Sequence, residues 1–266
     1  QYNAICENIQ HSMAVYAYGH WSTLLGTWAK RQCNVYTCQS ILQKNMKNYA
    51  FVHTVSNETV DGVCLRHPCL LGDQKVIIDA TSDLCLRPIP LSSYACVYAA
   101  TQKALGIAGM SVVIASEKFL AACKPSYQVL SYQAYAQSQS LHVTPAVFTW
   151  WVCGLMIDWM LAAGGLDKLH VILHNRSRNL RNILSLSNCY FLPISDHNAS
   201  LQNICFNLAP NALKQTFFQE AASAGLYGLQ GHKDGSDVRI NLYHNVTDSA
   251  YDALCTFLMD FTKKYG

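Results

Sequence analysis

Ala95-Cys96-Val97-Tyr98-Ala99-Ala100-Thr101-Gln102-Lys103 is an apolar run that ends on an amide and an amine. Upstream, Val76-Ile77-Ile78 ends in Asp79 in the same manner. Neither run alternates with polar residues, which is the pattern of strands buried on both faces of a covered sheet. Residues 49–55 and 110–116 form two more such runs, and most connections are too long for tight hairpins. The pattern predicts an α/β fold, a three-layer large domain built on a mostly parallel central sheet. Such a sheet carries its chemistry at the carboxyl ends of its strands. Asp79 and Lys103 therefore face one edge, each beside small residues that leave room for a ligand.

Beyond Gly164-Gly165 the pattern changes. Residues 166–186 read as a helix with apolar Leu169, Ile172, Leu173, Leu180 and Ile183. A β-like segment at 203–208, a helix at 213–224, a Gly-rich turn and a strand at 238–243 follow. The closing helix opens at Thr247-Asp248, a capping signal, with Tyr251, Leu254, Leu258 and Phe261 on one face. The expected division is a large α/β domain over residues 1–164 and a small C-terminal α+β domain over residues 165–266.

With 51% hydrophobic and 13% charged residues in 266, the chain is neither disordered nor a charged tail. Nineteen Lys+Arg against sixteen Asp+Glu leave +3, without long like-charge runs, so no nucleic-acid partner is expected. The apolar stretch at 146–163 has the length to cross a bilayer. Asp158 lies inside it, and Gly154, Thr149 and Pro145 interrupt or border it. It reads as a helix buried in a soluble core, with no membrane partner. Twelve scattered cysteines include no CxxC, and Cys33/Cys38 and Cys64/Cys69 have the wrong spacing for zinc knuckles. Buried thiols in a reducing, cytoplasmic setting are expected, and four N-x-S/T triplets, at Asn57, Asn175, Asn198 and Asn245, read as accidental.

Several motifs reduce to structure. His170 and His174 have the i,i+4 spacing of metal ligands but lack a third ligand, so no metal site is expected. Arg176, Arg178 and Arg181 read as a solvated face. Gly225, Gly228 and Gly231 follow a helix and not a strand, which fails the dinucleotide pattern. There is no P-loop and no GxSxG. Arg239 shares a strand face with Asn241 and Tyr243, opposite Val238, Ile240 and Leu242. That placement fits an anion-binding or a solvent-facing Arg equally.

Taken in order, a set of segments resembles the phosphoserine aminotransferases, the class V branch of the fold-type I enzymes that use pyridoxal 5′-phosphate (PLP). They are Gly19-His20-Trp21, Asn57-Glu58-Thr59-Val60-Asp61-Gly62, Asp79-Ala80-Thr81-Ser82 through Arg87-Pro88-Ile89, Val97 to Lys103, Gly106-Ile107-Ala108-Gly109, Thr144-Pro145, Gly231-His232 and Val238 to Asn245. The resemblance spans nearly the whole chain. It implies that Lys103 is the Schiff-base lysine, Asp79 the partner of the pyridine nitrogen and Trp21 the ring stacked on the cofactor. It implies that Thr59 contacts the ring hydroxyl, that Gln102 reaches the cofactor phosphate and that Thr144 does so from a second subunit of a homodimer. His232 and Lys233 would approach the substrate phosphate, and Arg239 would hold the substrate carboxylate. The implied reaction exchanges an amino group between phosphoserine and glutamate, with 3-phosphohydroxypyruvate and 2-oxoglutarate as keto partners, in serine biosynthesis. The residue types suit that chemistry: an amine to attach the coenzyme and move a proton, an acid to keep a ring nitrogen protonated, a forked cation for a carboxylate.

Departures from the family pattern are equally specific. The family has an N-terminal segment before this start, and a longer stretch between Trp21 and Asn57. Val143 replaces an Asn, Lys233 an Arg, Ala100-Thr101 a Gly-Ala and Ile107 a Pro. Ser236-Asp237 replaces a Gly pair, and its added acid is expected to work against a phosphorylated substrate. Two alternatives stand beside the enzyme: a catalytically impaired homologue with a structural or assembly role, and a transaminase or desulfurase for another substrate.

Overall fold

The four apolar runs all form strands, joined by two that the sequence did not announce. The computed structural model describes residues 1–9, 13–38, 48–66 and 75–266. In chain order its first half contains α1 (Tyr2–Ile9), β1 (Met13–Tyr16), α2 (His20–Ala29), β2 (Val35–Cys38), β3 (Phe51–Val55), β4 (Asn57–Glu58) and β5 (Val63–Cys64). Next come β6 (Lys75–Asp79), β7 (Cys96–Ala100), β8 (Ser111–Ala115), α3 (Glu117–Ala122), α4 (Tyr132–Gln137) and α5 (Val147–Ala162). The remainder is α6 (Gly165–Ser185), β9 (Tyr190–Phe191), β10 (Asn203–Leu208), α7 (Leu213–Ser223), β11 (Val238–Asn241) and α8 (Asp248–Tyr265). Two compact units result: residues 1–56 with 65–162, and residues 57–64 with 163–266.

In the first unit a six-stranded sheet runs in the order β2-β1-β3-β6-β7-β8. All pairs are parallel except β7 with β8. Side chains alternate between its faces. One face sets Met13, Val15, Phe51, Val55, Ile77, Cys96 and Tyr98 against Ile5, Cys6 and Ile9 of α1 and Leu25 and Ala29 of α2. The other sets Ala14, Val52, Val76, Ile78 and Val97 against Leu65 and Tyr94, with Leu84 and Ile89 packed on them. The missed strands β1 and β2 are four residues each, too short for their periodicity to stand out.

The second unit has the three-stranded sheet β11-β10-β9, with antiparallel pairs. Helix α8 is capped by Thr247, whose Oγ1 accepts from Ala250 N at 3.2 Å. Asp248 in its first turn and Lys263 and Lys264 in its last suit the helix dipole.

Three expectations need correction. α5 is a helix but is not buried: only Thr149, Cys153 and Met160 are covered, whereas Phe148 is 65% and Trp151 60% exposed. Its apolar residues encircle the axis, so composition could not say which side the chain would leave uncovered. Ile172, grouped with the apolar positions of α6, is exposed too, and Leu184 beside Ile183 is buried. Arg176 and Arg181 are anchored: Arg176 donates to Val246 O and Asp248 Oδ1, both at 2.6 Å, and Arg181 to Asp196 Oδ1 and Ile194 O, both at 2.6 Å.

Every described cysteine is a free thiol, and all but Cys33 and Cys85 are buried; Cys69 lies outside the described residues. Asn57 is buried and donates to Asn203 Oδ1 at 2.8 Å, so its N-x-S/T triplet is structural. Among the described residues no single helix is long and apolar enough to cross a membrane.

Candidate active site

Parallel pairing puts the ends of β1, β3, β6 and β7 at one edge of the sheet. β1 leads through Gly19 into α2, whose first turn carries His20 and Trp21. The turn is tied by Ser22 Oγ, which accepts from Tyr18 N at 2.9 Å and Gly19 N at 3.1 Å. Trp21 is half-buried, its indole edge-on to His20 at 5.1 Å. β6 ends in Asp79, and β7 leads directly to Gln102, exposed, and Lys103, half-buried. Asp79 is paired in register with Tyr98, so both side chains share one sheet face.

The Asp79 carboxylate is fixed by its own turn. Thr81 N donates to Asp79 Oδ1 at 2.9 Å, and Thr81 Oγ1 accepts from Ala100 N at 3.1 Å. One threonine thus connects the acid to the strand end that leads into Lys103. Burial raises the Asp79 pKa above the ordinary carboxylate value, and the Thr81 donors oppose that shift. Behind it, Ser56 Oγ donates to Asp79 O at 3.1 Å and to Asp83 Oδ1, and Arg87 Nε donates to Asp83 Oδ2 at 2.7 Å.

The loop that carries Lys103 is equally constrained. Thr101 is buried, and its Oγ1 donates to Ile107 O at 2.6 Å and Met110 O at 3.2 Å. Thr149 Oγ1 donates to Ala108 O at 3.1 Å from α5. The hydroxyl that distinguishes Thr101 from the family's Ala is therefore occupied in bracing this loop. Thr144, with Val143 beside it, is exposed in the segment before α5.

The other predicted residues belong to the second unit. Thr59 is buried in the turn between β4 and β5, which Gly62 closes at φ +69°, where a Cβ would lie 3.0 Å from Asn203 O. Arg239 Nη1 donates to Thr59 O at 3.2 Å, so these two are brought together. Among the described residues the buried Arg239 Nε has no hydrogen-bond partner. His232 and Lys233 sit on the turn between Gln230 and Val238, which bridge each other. Gly231 is obligatory there, because a Cβ would come within 1.8 Å of Ser236 O. His232 is half-buried and accepts from Asp234 N at its Nδ1 at 3.3 Å, while Lys233 is exposed.

Asp237 has partners of its own. Its carboxylate forms an ion pair with Lys214 and accepts from Leu208 N at 3.1 Å. These contacts tie Asp237 to Lys214 and to β10. Sequence reading passed over Tyr2 and Tyr98, which stand near Asp79, and His53, which lies on the same sheet face and is hydrogen-bonded to Tyr98. A histidine inside the apolar run Phe51-Val52-His53-Thr54-Val55 was the available signal.

The pattern of the class-V aminotransferases matches residues 28–249 of this chain. A phosphoserine aminotransferase of Buchnera aphidicola subsp. Cinara cedri (strain Cc) is 30% identical over 263 residues, covering 93% of this chain and 73% of that protein. Among solved structures, phosphoserine aminotransferase from Bacillus circulans subsp. alkalophilus matches with a TM-score of 0.91 at 26% identity, over 100% of this chain and 78% of that one. PLP-bound phosphoserine aminotransferase from Trichomonas vaginalis matches with a TM-score of 0.87 over 97% of this chain and 78% of its own, and at 21% identity it speaks to the fold alone. The chain belongs to the class-V aminotransferase family.

Proposed function

We propose that this chain is a PLP-dependent transaminase that interconverts phosphoserine and 2-oxoglutarate with 3-phosphohydroxypyruvate and glutamate. The observation that carries the reading is the Asp79–Thr81–Ala100 connection, which fixes an acid beside the strand end leading to Lys103. When bound, the cofactor supplies an electron-accepting ring. Asp79 would pair with its ring nitrogen and Trp21 would provide an apolar wall. Thr59 would meet the ring hydroxyl, and Gln102 would meet the phosphate. Lys103 holds the coenzyme and moves the proton at the substrate's α-carbon. Arg239 presents a buried Nε unpartnered among the described residues, which suits one carboxylate oxygen of the substrate. His232 and Lys233 would receive the substrate phosphate.

A homodimer suits the exposed apolar residues of α5, Phe148, Trp151, Leu155 and Leu161, and the exposed Thr144 just before them, lent to the partner's cofactor phosphate. Such patches mark association sites. The buried free thiols fit a cytoplasmic setting.

The test is glutamate formation from phosphoserine and 2-oxoglutarate by the purified chain supplied with PLP. Lys103→Ala should lower the rate at least about 10²-fold, the loss of its acid–base catalyst. A chain that binds PLP yet forms no glutamate overturns the substrate assignment, and activity unchanged in Lys103→Ala overturns the assignment of the lysine.

A further inference from the structure

We propose that the Tyr2 phenol is a positioning residue for the Asp79 carboxylate, reaching it from α1 while Tyr98 and His53 hold its ring. This rests on the placement of Asp79 at the cofactor's ring nitrogen. The strand register sets the stage: Asp79 pairs with Tyr98, and His53 pairs with Ile77, two residues before Asp79. His53, Asp79 and Tyr98 therefore line the same sheet face, the one that α1 covers. There the Tyr2 ring stands edge-on to His53 at 6.0 Å and to Tyr98 at 6.3 Å. His53 Nε2 and the Tyr98 hydroxyl are hydrogen-bonded at 2.8 Å, and both residues are buried. The Tyr2 hydroxyl is left within hydrogen-bonding reach of Asp79.

A carboxylate in this place needs donors. Burial disfavours its ionised form, whereas a ring nitrogen is kept protonated only by an ionised partner. Thr81 supplies donors from the same turn; Tyr2 supplies one from a separate element, opposing the upward shift that burial imposes. The groups around Asp79 are Tyr2 from α1, Tyr98 from β7 and Asp83 from the turn after β6. Tyr132 of α4 and Cys96 of β7 stand near Tyr98. His53 cannot add a cation, because burial pushes its pKa down to about 3. Among the described residues the buried His53 Nδ1 has no hydrogen-bond partner.

The experiment titrates apoprotein with PLP and measures affinity for the unaltered chain, Tyr2→Phe, Asp79→Asn and the double variant, each from pH 8 to pH 5. Tyr2→Phe keeps the ring contacts and removes only the donor. It should weaken PLP binding about tenfold, the scale of a hydrogen bond to a charged acceptor. Its affinity should also begin to fall at a higher pH, since Asp79 would take up a proton more readily. In the Asp79→Asn background the same change should leave affinity within about twofold, because the charge it serves is gone. Unaltered affinity and pH profile in Tyr2→Phe overturn the inference and leave the role of Asp79 standing. An equal loss in both backgrounds assigns Tyr2 a packing role and also overturns it. Full affinity in Asp79→Asn overturns the placement of Asp79 itself, and this inference with it.

Discussion

The interiors of the two units differ in their most concentrated feature. On the α1-covered face of the first, Tyr2, His53, Asp79 and Tyr98 sit among apolar side chains, with His53 hydrogen-bonded to Tyr98 and Tyr2 near Asp79. In the second, the interior is a ring cluster. Phe217 meets Phe261 at 5.1 Å, Phe257 at 5.2 Å and Phe206 at 6.2 Å, and Tyr190 meets Phe206 at 5.3 Å. Each buried polar group in the first unit costs stability unless it is paired. Edge-to-face rings in the second add to it, by about 0.5–1.5 kcal/mol a pair beyond the area they bury. The second unit buries paired polar groups as well, Asn57 with Asn203 among them, and adds to them this cohesive ring cluster.

That contrast can be broken most forcefully at Phe217. Phe217→Ala should destabilise the protein by about 3–5 kcal/mol in urea unfolding while leaving turnover per folded molecule unchanged. A loss of activity with intact stability would reverse the assignment.

His53 offers a second, smaller probe. Unfolded, it titrates near 6.5, and in the fold burial pushes it down to about 3. Above pH 6.5 both states are neutral and its contribution is flat. As the pH falls through the window, only the unfolded chain takes up the proton, so stability drops by about 1.4 kcal/mol per pH unit. Asp79, whose folded pKa is raised, acts in the opposite direction in any variant that keeps it, so comparison with His53→Phe isolates the histidine. Between pH 6 and pH 4 the unaltered chain should lose about 2–3 kcal/mol more than His53→Phe. Parallel pH curves would mean that the imidazole is not held neutral.

The smallest effect sharpens the contrast at a surface position of the second unit. Thr247→Ala removes the cap of α8 and should cost about 1 kcal/mol, read as a lower urea midpoint at constant slope, with no change in kcat.

Much of this was legible in the chain. The runs around Ile77 and Val97 announced parallel strands because both faces of that sheet are covered, and their terminal Asp79 and Lys103 fell at one edge for the same reason. The strand 203–208 and the capped helix after Thr247 also appear where periodicity put them. The environment of Asp79 was not legible. Tyr2 stands far from it in sequence, and only the pairing of β6 with β7 and the course of α1 bring the phenol to the acid. The partner of Asp237 was hidden for a related reason: its charge was visible, whereas Lys214, which pairs with it, comes from another element. Likewise, α5 carries apolar residues all around its axis, which hid which side of it the chain would leave bare.

That bare side has an optical consequence. Trp150, Trp151 and Trp159 all lie on α5 in contact with solvent, and Trp28 of α2 is similarly open. Their indoles should emit at long wavelength in the separated chain, and any surface that covers α5 should shift that emission to the blue. Diluting the protein while following its fluorescence would then report assembly without a label.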